Sequence, residues 1–522
     1  MLFFLRRHAW QGLAIFALLA WYIFFLAHPI FLTPADIGRH ITNGRLLVTT
    51  SLAEWGPLLH TNFYSYTFSE APFINHHWGS GLIFYAIWKI GGFVGISILG
   101  LILNIIAFLL SFDLARRLGG WRLATLLGFL VIPLLAERAE VRPELFSYIF
   151  ILLFVWLIMG VRDGRLKKNT LYILPIIELL WVNLHIYFFL GFVVVGAFWI
   201  ETFLRREHRE KRGLLTTVGL LMVLGGAINP ALLRGFFYPF QIFNNYGLPV
   251  SENQSVATVL AQQPGDRSTL LFILLLGSFL VAVAGTFLKK RAGFLYALAI
   301  ITGVFGLLGW LLVRNLALFT LIAFPTIVGL TALWRDPPKN AVLPSAVRRW
   351  LMAGGLAIFF TIVFYWPRWP TLLSTRGLGL LTGMGDAAAF INNHNIQGPL
   401  FNDFDSGSYV IFYLYPRVQP FVDNRAEAYP ASFFKNTYVP MHVDNVVWLA
   451  TENQYHFNAI LYSFDDHAPY ALPFILERLL DPAWAPVYTD KFSIIFLKRN
   501  EQNATLIKQF EIPKDKFSLQ NE

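Results

Sequence analysis

Lysine and arginine gather on alternate connections between long apolar runs of this chain, a pattern that charge bias across a bilayer produces and a soluble core does not. The runs at 10–32, 93–112, 123–136, 145–160, 214–229, 270–286 and 351–366 each approach the roughly 20 residues that cross a hydrocarbon core as a helix. The bulk figures agree: of 522 residues, 56% are hydrophobic, 16% aromatic and only 14% charged. The first run is too long and too aromatic for a cleaved leader, and no small-residue cleavage pattern follows it, so it reads as a retained anchor.

Charge also settles two ambiguous stretches. Residues 171–204 would make one helix of about 50 Å, longer than a core of about 30 Å. Basic clusters on both flanks, Arg162 to Lys168 and Arg205 to Arg212, require the chain to enter and return, which puts a hairpin tip at Trp181 to His185. The stretch 294–334 is likewise bounded by cations and broken only at Arg314-Asn315, so that break faces outward. With Arg6-Arg7 inside, the expectation is a multi-pass plasma (inner) membrane protein of about eleven spans, its N-terminus cytoplasmic and its C-terminal domain extracytoplasmic.

Composition changes near Pro367. Beyond it stand 12 Lys+Arg against 16 Asp+Glu, whereas the preceding part carries 29 against 15. The division is therefore a multi-span domain at 1–367 and a second domain at 368–522. Segments at 385–393, 399–402, 418–423, 458–463, 470–480 and 492–498 alternate between helical and strand-like patterns and predict a small α/β fold. The chain has no cysteine, which excludes disulfides and thiol chemistry. Its positive charge sits in the inner clusters, so nucleic acid is not an expected partner.

Function should lie in the outer loops. The first, 33–78, packs Asp36, Arg39, His40, Asn43, His76 and His77 directly after a span, and 79–90 reads as an interfacial helix beneath it. Asp36 is either a helix N-cap for the segment that follows or a general base at the bilayer edge. His76 and His77, with His40 and Asp36, form an alternative set of imidazole and carboxylate donors that suits a divalent metal such as zinc or manganese, although their spacing is not that of a helical metal motif. Between spans the outer loops use arginine: Arg39, Arg45, Arg138, Arg142, Arg234, Arg267 and Arg314, with lysine only at Lys89. A planar guanidinium donates two parallel bonds to phosphate and keeps its charge when half-buried, so this choice suits a lipid phosphate. Pairing with Glu137, Glu140 and Glu144 is the plainer explanation for Arg138 and Arg142; Arg314, among apolar neighbours, has no such explanation.

The runs DIGRHITNGRLL, PFINHHWGSGLIFYAIWKIGG, VRPELFSY, LLWVNLHIYFFLG, AINP and FNDFDSGSYVIFYLYPRVQPFVDNRAEAY resemble a bacterial branch of the GT-C membrane glycosyltransferases, related to protein O-mannosyltransferases and aminoarabinose transferases. The resemblance covers nearly the whole chain. It implies a GT-C-like polytopic helical fold with a small C-terminal α/β extracytoplasmic domain. It further implies hexosyl or pentosyl transfer from a polyprenyl-phosphate donor to a glycan, lipid or protein acceptor, with Asp36 as base. Where that branch is expected to read Asn-His-Glu-Trp, this chain has Asn75-His76-His77-Trp78. An imidazole thus replaces the expected second acid, and Glu252 becomes the nearest replacement candidate, a buried helix-terminal role explaining it equally well.

Around these lie Arg39, His40, His76, His77, Arg142, Asn183, His185 and Arg314 as candidate substrate-binding residues. Asp403, Asp405, Asp423 and Arg425, near strand ends of the second domain, are candidates for acceptor binding, while turn formation explains such residues equally well. No cofactor is expected beyond a possible divalent metal. Two other functional classes fit: a lipid or glycan transporter, with Glu178, Asn183 and His185 along a path, and a non-catalytic relative that displays its C-terminal domain.

Overall fold

The computed structural model describes residues 2–138, 140–242, 246–248, 250–289, 293–334 and 375–517. It divides into two compact units, one of Met1–His28, Ser97–Leu232 and Val250–Leu378, the other of Pro29–Ile96, Leu233–Pro249 and Gly379–Glu522. The first loop thus belongs with the C-terminal segment, and the division expected near Pro367 falls outside the described residues.

Among the described residues six helices are long and apolar enough to cross a membrane: Ala9–Leu26, Trp78–Gly119, Glu144–Arg162, Ile186–Leu204, Arg267–Leu288 and Val313–Ala332. A pair, Arg206–Ala227 with Leu232–Phe240, qualifies together but is bent by 113°, and Trp121–Ala136 and Tyr296–Leu311 are shorter apolar helices. Among the described residues, length and composition support six spans, seven with the bent pair, so the roughly eleven expected from charge are not confirmed. The expected span 351–366 lies outside the described residues. The stretch 171–204 breaks into Leu174–Val182 and Phe189–Leu204, with Asn183 at the break, while 294–334 breaks at Val313–Asn315. The first helix ends at Leu26 rather than 32, because Pro29 disfavours helical backbone at the residue before it.

In the first unit the helix Leu316–Ala332 forms the centre. It is buried at every position from Leu316 to Leu330, as expected for a helix that is apolar all round, and Arg267–Leu288 and Tyr296–Leu311 pack on it. Close approach is set by small residues: a Cβ on Gly119 would strike Val328, and one on Gly329 would strike Leu295. Outer faces stay apolar and exposed, including Leu274, Leu280, Val281, Leu220 and Leu224, which suits lipid rather than water.

The second unit holds a four-stranded sheet of β1 (Leu400–Asn402), β2 (Ala459–Ser463), β3 (Trp484–Thr489) and β4 (Ser493–Lys498), in the order β1-β2-β4-β3. β1 and β2 run parallel, the other pairs antiparallel. Phe401 centres an aromatic core with Phe421, Trp448, Phe457 and Phe474. Of the expected segments, 418–423 joins no strand ladder. Instead Asn402 donates to the Val422 carbonyl at 2.8 Å and accepts from the Phe421 N–H at 2.9 Å, so a side chain takes the place of a partner strand. The helix Ile37–Thr49 of the first loop packs on Gly407–Tyr413, where Gly38 sits against Phe412 and the Ser408 carbonyl, so that a larger residue would press on both. The helix Trp78–Gly119 breaks at Gly92 (φ 55°, ψ −151°), which ends the 79–90 segment at a conformation glycine adopts without strain. Asn503 is a buried structural asparagine, its amide bonded to Asn458 and to the Lys498 carbonyl.

Candidate active site

In the second unit the candidate residues of the first loop converge on one helix. Asp36 precedes Ile37–Thr49 but its carboxylate forms no cap bond; it lies 3.5 Å from the Arg39 guanidinium, with 21% of the side chain exposed. The helix-cap explanation for Asp36 therefore fails, and a half-open carboxylate beside a cation remains. Arg39 is buried, its backbone N–H donating to Ser408 Oγ at 3.0 Å, and its Nε has no hydrogen-bond partner among the described residues.

His40 and His77 meet edge to face at 5.1 Å, and His76 lies against His77 at 3.9 Å. His76 Nδ1 is 3.0 Å from the Ile74 carbonyl, which directs that nitrogen toward backbone. Among the described residues no group of three or more His, Asp or Glu is arranged to hold a metal, and these rings do not supply converging donors. Among the described residues, Asp36, His40, His76 and His77 do not gather into a group that would hold the divalent metal their chemistry raised.

The segment Asp423 to Tyr429 is tied to the first loop. Arg425 grips Asp423 through Nε and Nη2, both at 2.7 Å, and also donates to Asn62 Oδ1. Tyr64 donates to Asn43 Oδ1 at 2.7 Å, and Arg425 lies over the Tyr64 and Phe73 rings. Burial alone would raise the Asp423 carboxyl, but the adjacent guanidinium outweighs it and holds the group below the usual carboxylate range. Asp423 and Arg425, read from sequence as acceptor-binding candidates, are thus bound to each other at the base of the loop.

Asp403 and Asp405 behave differently. Asp403 accepts backbone N–H bonds from Ser406 and Ser463, and burial together with Asp466 pushes its carboxyl up to about 7. Burial, reinforced by Asp403, Asp466, Asp465 and Asp36, pushes the Asp405 carboxyl up to about 8. Asp405 is therefore a second carboxyl in the field of Asp36, an association that nothing in their sequence spacing signals.

The first unit contains a separate constellation. Glu252 Oε2 accepts from Arg138 Nη2 at 2.9 Å and Arg142 Nη1 at 2.7 Å, while Oε1 is 3.3 Å from Arg314 Nη1. Each arginine has a second anchor. Glu144 holds Arg138 Nε at 2.6 Å, Glu140 holds Arg142 Nε at 2.6 Å, and Asn253 accepts from Arg314 at 3.3 Å. Burial works to raise the Glu252 carboxyl, yet the summed fields of Arg142, Arg138 and Arg314 hold it well below the usual range. That makes it a counter-ion and a poor proton acceptor. The plainer explanation for Arg138 and Arg142, local glutamate pairing, is met by Glu144 and Glu140, but it leaves one face of each guanidinium turned to Glu252.

Asn183 bonds to backbone carbonyls and His185 to a side-chain hydroxyl. Asn183 donates to the Leu179 and Ile228 carbonyls, and His185 Nδ1 lies 2.8 Å from Ser147 Oγ, which also accepts from Trp181. Tyr187, beside His185, donates to Asn315 at 2.8 Å and lies under Arg314. Sequence reading passed over Arg138 as merely paired and missed Asn62, Tyr64 and Asn253, whose only signal was their place in polar loops.

No protein-family profile and no characterised protein sequence matches the chain. In three dimensions it resembles the oligosaccharyltransferase AglB of the archaeon Archaeoglobus fulgidus, solved with an inhibitory peptide and a dolichol-phosphate: TM-score 0.59, 12% identity, 95% of this chain and 75% of that one. The apo form of the same enzyme gives a TM-score of 0.61 at 11% identity, over 94% and 75%. ArnT from Cupriavidus metallidurans in the apo state gives 0.54 at 14% identity, over 97% and 100%. The chain has the GT-C fold of these membrane glycosyltransferases.

Proposed function

We propose that this protein transfers a sugar from a polyprenyl-phosphate-linked donor to a hydroxyl-bearing acceptor at the outer face of the membrane. The observation that carries the reading is the set of three guanidinium groups directed at one small anion position, anchored from behind by Glu144, Glu140 and Asn253. Arginine forks of this kind fit the oxygens of a phosphate ester. The GT-C fold, and the dolichol-phosphate found with the archaeal relative, support the same class of donor.

Asp36 is the proton acceptor. It takes the proton of the acceptor hydroxyl, whose oxygen attacks the anomeric carbon. The bond from that carbon to the phosphate oxygen breaks, and the lipid phosphate leaves with the electron pair. In the first unit, Arg138, Arg142 and Arg314 are suited to hold the phosphate of a lipid. Asp405, held largely protonated at neutral pH, is suited to donate a hydrogen bond to the acceptor.

The transporter reading lacks support from the polar groups it would use: Glu178 is fully buried, and Asn183 bonds to backbone carbonyls. Incubating purified protein with hexosyl and pentosyl polyprenyl phosphates and a membrane extract tests the assignment. Release of free polyprenyl phosphate by the native protein and not by Asp36→Asn is expected; no consumption of any donor contradicts it.

A further inference from the structure

Glu252 occupies the anion position itself. A carboxylate and a phosphodiester each carry one negative charge and offer two oxygens, and Glu252 spreads its two over the three arginines as a phosphodiester would. The two other glutamates of the cluster sit differently. Glu144 is buried behind Arg138, and Glu140 bonds to the Nε edge of Arg142, so both orient a guanidinium without filling the position the three share. Arg314 Nε, buried and with no hydrogen-bond partner among the described residues, remains available to a ligand larger than a carboxylate. Glu252 stands on a short turn, Ser251–Asn253, that is pinned beside Arg314 by a bond from the Val313 N–H to the Gln254 carbonyl at 3.0 Å.

We propose that Glu252 is an internal substitute for the donor phosphate: it closes the arginine site when no lipid is bound, and the donor's phosphodiester must displace it to enter. The inference rests on the phosphate-site reading given above. It makes Glu252 a residue that sets donor affinity by competition, not a base. A phosphate that displaces it meets guanidinium groups still oriented by Glu144 and Glu140, so the site needs no rearrangement to receive it. In the free protein the carboxylate relieves the repulsion of three neighbouring cations.

The test is binding of undecaprenyl phosphate to the purified full-length protein and to Glu252→Gln, Glu252→Ala and Arg314→Ala. Both Glu252 variants should bind at least about tenfold more tightly than the native protein, and Arg314→Ala more weakly. A second readout follows thermal unfolding without lipid. Glu252→Gln should melt lower than the native protein and be raised by inorganic phosphate by a larger margin than the native protein is. Loss of binding in Arg314→Ala with unchanged or weaker binding in both Glu252 variants overturns the competition while leaving the phosphate site standing. Equal stabilisation of native and Glu252→Gln proteins by phosphate also overturns it. Indifference of all four proteins to undecaprenyl phosphate overturns both readings together.

Discussion

Arg425 and Asp423 are joined by two parallel bonds of 2.7 Å, both side chains almost wholly buried, and Arg425 reaches on to Asn62, 363 residues away in the chain. Removing one partner leaves an uncompensated buried charge, at a cost of about 3–5 kcal/mol. Arg425→Met and Asp423→Asn should each lower the melting temperature sharply, and the double change Asp423→Leu with Arg425→Met should recover much of the loss. Thermal unfolding in detergent checks this; single variants as stable as the native protein would remove the pair from the loop's foundation.

Asp405 predicts a pH effect of opposite sign to that of an ordinary carboxylate. Its folded value, about 8, lies above the unfolded value of roughly 4, so between those limits the native state holds a proton the unfolded chain has lost. Stability should therefore fall as pH rises through this window. Asp405→Asn should flatten the dependence and be more stable at pH 8 by about 1–2 kcal/mol, allowing for partial exposure, while transferring sugar more slowly. Melting curves from pH 5 to 8 decide it; an unchanged slope in the variant counts against the assignment.

Arg314→Ala should lower turnover by about two to three orders of magnitude, the usual loss when one preorganised donor to developing charge is removed. The fold should survive, because Glu252 keeps Arg138 and Arg142 as partners. Steady-state transfer with a polyprenyl-phosphate sugar measures this, and near-native turnover would dismiss Arg314 from the site.

Glu178 gives the transporter alternative its sharpest test. Both its carboxyl oxygens are buried without a hydrogen-bond partner among the described residues, and one lies against Gly191. An unsatisfied buried polar group costs about 1–3 kcal/mol, so Glu178→Met, which conserves volume, should stabilise the protein and leave transfer intact. Loss of activity in a well-folded variant would place Glu178 on a functional path.

The helical architecture was legible because each apolar run states its own segment: the breaks at Asn183 and at Val313–Asn315 fall where polar residues interrupt those runs. The small sheet was legible from β1, β2 and β4, but the run at 418–423 misled, since the Asn402 side chain that replaces its strand partner is distant in sequence. The site was legible as residue types and not as a constellation. Arginine used in place of lysine singled out Arg142 and Arg314, yet Glu252 lies 110 residues from Arg142, and no spacing rule joins them. Asp36 stood out by its place after a span, while the failure of its cap bond and the nearness of Asp405 needed coordinates.

The central claim is best tested by mass spectrometry of the lipids that co-purify with Asp36→Asn, a variant expected to bind donor without consuming it. Enrichment of a glycosylated polyprenyl phosphate over bulk phospholipid is the predicted result, and it would identify the sugar. Recovery of bulk phospholipid alone, even after incubation with hexosyl and pentosyl polyprenyl phosphates, would contradict the account.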